Sequence, residues 1–326
     1  MSTETRALRN VVIVGAGAMG CLFAARLQRV GTAVTLIDND AQRLALIAKE
    51  GLELVDDSGS HSCRPGTALA QDYRGPVDLV VLFTKGMHSA AAVGSIAPLA
   101  QFKPIALTLQ NGLGNAEILA DTFGAERVLK GTAHVPADLA PPNKVISHGF
   151  ADVHVGGHVR GAQGLADPVA ELFTRSGFKT VVSRNIDADV WEKLAFNAAL
   201  NALAMITQST NGAMAVESGR RIARAVVQET VGVASKIGLE LEGAKIEQTI
   251  AKALVDHPLH KASMLQDRES GRRSEIENIN GAIVRVGEQH GVATPVNATL
   301  ADLVRTIESS ALASSPGSLQ AHKVKL

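Results

Sequence analysis

The pattern of apolar and polar positions splits the chain into two parts. Up to about residue 185, short apolar runs alternate with stretches of helical periodicity; beyond it only the helical period remains. The runs at residues 11–14, 32–37, 51–55, 78–84 and 105–109 are rich in Val, Ile and Leu, as strands buried on both faces are. Helical patterns at 21–30 and from Ala41 lie between them. Such alternation predicts a doubly wound parallel sheet. Residues 128–183 are less regular: 145–148 and 151–155 suggest short antiparallel strands, 167–176 a helix and 179–182 a final strand. Residues 58–63 read as a loop.

In the second part, helices are expected at 217–236, 244–255 and 295–307. Ser274 followed by Glu277 is a capping box, which starts a helix with Ile276, Ile279, Ile283 and Val286 on its core face and Glu275 at its first position. The central stretch is 191–205, free of Gly and Pro and apolar on nearly every side, as in a buried helix. Lys193, Asn197 and Asn201 interrupt it at steps of four, so they share one narrow stripe. Buried polar groups without partners cost about 1–3 kcal/mol each. Either the stripe lines a polar cleft and holds a ligand, or the lysine pairs with a carboxylate while the asparagines tie down neighbouring backbone.

Chemistry enters with Gly15-Ala16-Gly17-Ala18-Met19-Gly20, placed between the first strand and the first helix, with Asp38 at the end of the second strand. In that setting G-x-G-x-x-G is a dinucleotide fingerprint. Gly15 permits the tight turn, Gly17 the approach of a pyrophosphate, and Gly20 close helix–strand packing; the helix N-terminus attracts the phosphates. Asp38 can accept ribose hydroxyls and would repel a 2′-phosphate, which favours NAD(H), although Arg43 lies near enough in sequence to reach such a phosphate. The competing role for Asp38 is capping the next helix, a task open also to Asn39 and Asp40. Lys85 and Asn111 follow the strands at 78–84 and 105–109, on the edge where doubly wound sheets bind ligands.

Composition narrows the picture. With 326 residues, 46% of them hydrophobic, two domains are expected: a Rossmann-type dinucleotide-binding domain at 1–184 and a helical substrate and catalytic domain at 185–308. The Ser/Ala-rich tail at 309–326 is expected to be disordered. Lys plus Arg and Asp plus Glu number 32 each, scattered along the chain, which argues against nucleic acid and a polybasic membrane patch. No apolar run is long and charge-free enough to span a membrane, and no signal peptide is visible, so a cytoplasmic location is expected. Cys21, Cys63 and the histidines at 134, 148, 154 and 158 show no metal-ligand spacing.

Several motifs in order resemble the ketopantoate reductase (2-dehydropantoate 2-reductase) family: the glycine fingerprint, Thr84-Lys85, Gln110-Asn111-Gly112, Trp191 to Asn197, Asn211-Gly212, Ser263 to Asp267, and Glu275 to Gly281. The resemblance implies hydride transfer from a reduced nicotinamide to the C2 carbonyl of 2-dehydropantoate, giving pantoate on the route to pantothenate and coenzyme A. It implies that Lys193 protonates the developing alkoxide and that Glu275 contacts the cofactor near that lysine. Asn197, Asn201, Asn211 and the segment Ser263, Met264, Leu265 and Gln266 take the place of substrate-holding groups, and Lys85 and Asn111 that of cofactor contacts. NADP(H) is the family default, against the NAD(H) that Asp38 favours. Reduction or oxidation of another 2-oxo or 2-hydroxy acid on the same fold is an alternative, and a non-catalytic dinucleotide sensor a more distant one. A homodimer through the long C-terminal helices is expected by fold analogy.

Overall fold

The computed structural model describes residues 8–313. It divides between Asp189 and Val190 into two compact units.

In the first unit the chain runs through β1 (Asn10–Val14), α1 (Ala18–Arg29), β2 (Ala33–Ile37), α2 (Ala41–Glu50), β3 (Leu52–Asp56), β4 (Gly59–Cys63) and β5 (Gly66–Ala68). It continues with β6 (Leu79–Leu82), α3 (Ser89–Ser95), β7 (Ile105–Thr108), α4 (Asn115–Phe123), β8 (Val128–His134), β9 (Asp138–Ala140), β10 (Lys144–Ser147), β11 (Asp152–Gly157), α5 (Ala166–Arg175) and β12 (Lys179–Val182). Among the described residues, eight strands form a sheet in the order β12-β11-β8-β7-β6-β1-β2-β5. All neighbours from β8 to β5 pair in parallel; β11 joins β8 antiparallel, and β12 runs parallel to β11. The strand order reverses between β1 and β6, the switch point at which doubly wound sheets take ligands.

The apolar runs are explained by cover on both faces. Val11 and Ile13 of β1 with Leu79 and Val81 of β6 pack into one core, while Val12, Val14, Val80 and Leu82 pack into another. Successive side chains in a strand point to opposite faces, so each strand needs apolar residues at every position. Phe23, Phe173 and Phe178 anchor the first core, the rings of Phe23 and Phe178 stacking at 4.2 Å.

Residues 58–63, expected as a loop, instead supply β4, antiparallel to β3 with Asp56 opposite Gly59. Its residues Gly-Ser-His-Ser-Cys leave no apolar alternation to read, because the strand lies at the edge of a four-stranded sheet, β4-β3-β10-β9, and none of its residues is fully buried. Of the two short strands expected to be antiparallel, β10 pairs antiparallel with β9 but parallel with β3.

In the second unit the elements are helical: α6 (Ile186–Thr207), which enters it from its first turn, α7 (Glu217–Lys236), α8 (Gly243–Asp256), α9 (Ser263–Glu269), α10 (Asn280–His290) and α11 (Pro295–Ala313). Two expectations are corrected here. The helix expected from Ser274 begins only at Asn280. The Ser274 backbone N–H is taken by Glu308 Oε1 at 2.7 Å, residues 275–279 form a turn, and Ile279 at φ −106°, ψ −96° breaks the helical path. The last helix runs on through residues 309–313, placed in the tail by sequence; the rest of that tail, 314–326, lies outside the described residues.

Candidate active site

The loop after β1 is built as the fingerprint requires. Gly15 sits at φ +109°, and a Cβ there would lie 2.8 Å from the carbonyl carbon of Phe83, in the loop after β6. A Cβ on Gly20 would lie on the carbonyl oxygen of Gly15, so glycine is needed for α1 to approach β1. Gly17 differs: it is exposed, caps α1, and a Cβ would meet nothing within 4 Å. Its freedom is not used in packing. The outward side of the loop, Gly17 with the partly exposed Ala18 and Met19, is an open cradle at the positive end of a twelve-residue helix. A pyrophosphate fits that cradle.

Asp38 latches the loop. Its Oδ2 accepts the Ala16 N–H at 2.6 Å and its Oδ1 the Asp40 N–H at 3.0 Å. The cap of α2 is Asp40, whose side chain accepts from Arg43 N–H, so Asp38 is released from that task. Each Asp38 oxygen keeps a further lone pair for a ribose hydroxyl. Arg43 comes to the same place, its Nε donating to the Ala16 carbonyl at 2.7 Å and one terminal nitrogen to Cys21 Sγ at 3.5 Å. Burial raises the pKa of the Cys21 thiol, so it stays protonated.

Lys85 and Asn111, both partly exposed, follow β6 and β7 on the same edge. Gln110 ties these loops together, its Nε2 donating to the Thr84 carbonyl at 2.5 Å and to Ser89 Oγ at 2.9 Å. Asn115 Nδ2 donates to the Asn111 carbonyl at 3.4 Å.

In the second unit, Lys193 is half-buried on α6. Burial lowers its pKa to about 8, while the negative charge of Glu275 pulls it upward. Glu275 is buried at 6% exposure in the turn before α10. That turn is braced from α11: Glu308 holds its start, and Glu277 pairs with Arg305 at 2.7 and 2.9 Å. Further along the stripe, Asn201 Nδ2 donates to Ser263 Oγ at 3.2 Å, and Asn197 is half-buried between it and the lysine. The structure therefore sets Lys193 of α6 beside Glu275 of the turn before α10, and Asn201 of the same helix against Ser263 of α9.

Other residues expected at the site have partners in the fold. Met264 and Leu265 are core side chains, 0% and 2% exposed, so of residues 263–266 Ser263 and Gln266 keep polar reach; Gln266 Nε2 donates to the Lys261 carbonyl. Asn211, 2% exposed, donates from Nδ2 to the Ala253 carbonyl and from its backbone to the His260 carbonyl, fastening the end of α8. Sequence reasoning named Asn280 only as part of a family motif, without a role, and missed Asn297 and Glu229; the three form a hydrogen-bonded series behind α6, the asparagines buried and Glu229 partly so. The available signal was a pair of asparagines in otherwise apolar helical positions.

The comparisons with known proteins bear on both units. The model of the family described as ketopantoate reductase PanE/ApbA matches residues 11–159, and that of its C-terminal part matches residues 185–308. The chain belongs to the ketopantoate reductase family. A curated 2-dehydropantoate 2-reductase from Halobacterium salinarum is 32% identical over 91% of this chain and 98% of its own. A solved PanE/ApbA family ketopantoate reductase from Ralstonia eutropha superposes with a TM-score of 0.84 at 31% identity, covering 93% and 99%. A D-mandelate dehydrogenase solved with NADH and anilino(oxo)acetate gives 0.89 at 29% identity, with the same coverage. The cofactor class is a nicotinamide dinucleotide. Among the described residues, no helix is long and apolar enough to cross a membrane.

Proposed function

We propose that the chain reduces the C2 carbonyl of 2-dehydropantoate to give pantoate. The observation that carries this reading is the half-buried Lys193 with a pKa near 8 beside Glu275. Ketone reduction needs a proton at the oxygen as negative charge develops there. An ammonium near pKa 8 is mostly protonated at neutral pH yet gives up its proton far more readily than an ordinary lysine. When bound, the reduced nicotinamide supplies the hydride that adds to the carbonyl carbon. Lys193 Nζ places its proton on the carbonyl oxygen, and the neutral amine regains one from water. Before that step its positive charge attracts the substrate carboxylate, while Asn197, Asn201 and Ser263 orient the substrate by hydrogen bonding. Glu275 keeps the lysine charged between turnovers and contacts the cofactor. Gly17, Ala18 and Met19, on a loop shaped by Gly15, Ala16 and Gly20, hold the cofactor with Lys85 and Asn111, and Asp38 favours NAD(H) through the ribose hydroxyls.

The test is NADH and NADPH oxidation with purified protein and 2-dehydropantoate, beside Lys193→Ala. Turnover that collapses in the folded variant supports the reading; near-normal activity in that variant overturns the proton-donor role. The likeness to D-mandelate dehydrogenase favours one second reading, a different 2-oxo or 2-hydroxy acid handled by the same machinery. A panel of 2-oxo acids that includes phenylglyoxylate separates the two. A cytoplasmic location and a homodimer are part of the proposal; fractionation and light scattering test them.

A further inference from the structure

Asn280, wholly buried at the start of α10, joins one arm, α6, which carries Lys193, to another, the turn that carries Glu275. One Nδ2 proton goes to the Ala198 carbonyl on α6 at 3.1 Å, and the other to Asn297 Oδ1 at 3.1 Å. Ala198 lies five residues after Lys193 along α6, and Asn280 lies five residues after Glu275. Between Glu275 and Asn280 the chain folds back on itself, the N–H groups of Asn278 and Ile279 both donating to the Glu275 carbonyl at 3.0 and 3.1 Å. Each arm is thus stiff, and the Asn280–Ala198 bond fastens one to the other.

The amide is itself held in orientation. Asn297, also wholly buried, donates from Nδ2 to Glu229 Oε2 at 2.8 Å, which turns its Oδ1 towards Asn280. Glu229 further accepts the N–H groups of Val296 and Asn297 at 2.8 and 2.9 Å, two donors that the first turn of α11 leaves open. A side chain that gives two protons from one planar nitrogen is required here, and leucine or aspartate cannot supply it. Asn280 Oδ1 is buried with no hydrogen-bond partner among the described residues. The fold tolerates that unmet acceptor to keep the two donors.

We propose that Asn280, oriented by Asn297 and Glu229, is a positioning residue that fixes Lys193 against Glu275 through its hydrogen bond to the Ala198 carbonyl. The inference rests on the role given to Lys193 above. Its direct reading is the titration of Lys193, followed by NMR on protein labelled with 13C at lysine and assigned by the signal missing in Lys193→Arg. In Asn280→Ala the pKa of Lys193 moves by about half a unit or more, upward where water entering the loosened junction relieves burial, downward where Glu275 recedes. Turnover falls about tenfold with the KM for NADH unchanged. Should Asn280→Ala fail to fold, Glu229→Gln keeps the shape and one acceptor on α7 and gives a smaller shift in the Lys193 titration. A Lys193 pKa that stays put in a folded variant, with only the melting temperature lowered, would overturn the proposal. The NMR reading does not depend on turnover, so a catalytically silent Lys193, exposed by an active Lys193→Ala, is a separate result.

Discussion

Asp38 and Ala16 meet across the end of the first two strands, the carboxylate accepting the loop N–H at 2.6 Å. The residue that sequence assigns to the ribose is therefore also the latch of the glycine loop. The two tasks separate in Asp38→Asn. Its carbonyl oxygen can still accept from Ala16, but the negative charge is gone and one acceptor becomes a donor. We expect NADH to bind about tenfold more weakly, ~1.4 kcal/mol, and the ratio of NADPH to NADH turnover to rise by at least that factor, helped by Arg43. Steady-state kinetics with both cofactors checks this. An unchanged ratio would leave Asp38 as a latch alone.

The three glycines of the loop should not respond alike. Gly20→Ala drives a Cβ onto the Gly15 carbonyl, and since that carbonyl is backbone and cannot swing aside the strain is of the overpacking kind, about 1–3 kcal/mol or more. Gly17→Ala meets no atom of the fold and should cost at most about 1 kcal/mol as a helix cap. Its methyl group points into the cradle and should raise the Kd for NADH. Thermal melts beside cofactor titration check the pair: Gly20→Ala unstable, Gly17→Ala stable and weak in binding. An unchanged Kd for NADH in a stable Gly17→Ala would deny the open side of Gly17 a ligand.

This division between local and distant causes also explains what was legible in the sequence. The parallel strands could be read because cover on both faces demands unbroken apolar runs, as in Leu79–Leu82. The fingerprint could be read because its glycines answer to backbone a few residues away. β4 could not, since its stability comes from pairing with β3 rather than from apolar residues of its own. The start of α10 was misjudged because the capping box is a local signal, and Glu308, 34 residues away, takes the Ser274 N–H instead. The extension of α11 follows from ordinary helix formers, Glu, Ser, Ala and Leu, that in sequence resemble a tail. Of the candidate site, the stripe on α6 was legible by its period. Which carboxylate faces Lys193 came from family resemblance, and the hydrogen bond of Asn280, a residue of that same motif, escaped because its partner Ala198 lies 82 residues away.

The lowered pKa of Lys193 sets a pH profile. Reduction needs the ammonium, so its rate should be flat below pH 8 and fall tenfold per unit above it. Oxidation of the hydroxy acid needs the neutral amine, so its rate should rise tenfold per unit up to about pH 8 and be flat above it. Lys193→Ala should lose about 10²–10⁴ in turnover and the breakpoint near 8 with it. Profiles in both directions, at saturating cofactor, check this. A breakpoint that survives in Lys193→Ala would belong to another group.

The same shift has a consequence for stability. The pKa of Lys193 falls from the ordinary 10.5 to about 8 on folding, so the unfolded chain binds the proton more tightly. Stability therefore rises with pH between about 8 and 10.5, and below 8 the folded protein carries the whole penalty, about 3 kcal/mol. Lys193→Met removes that penalty at pH 7 but leaves Glu275 buried without its counter-charge, so the single variant gains little or loses. Lys193→Met with Glu275→Gln removes both charges and should be more stable than the parent by about 1–3 kcal/mol while inactive. Melting of the four proteins of this cycle at pH 7 and pH 10 checks the sign. The advantage of the double variant should shrink at pH 10, where folding of the parent no longer holds a full proton on Lys193. An advantage independent of pH would mean that burial of the lysine is not its source.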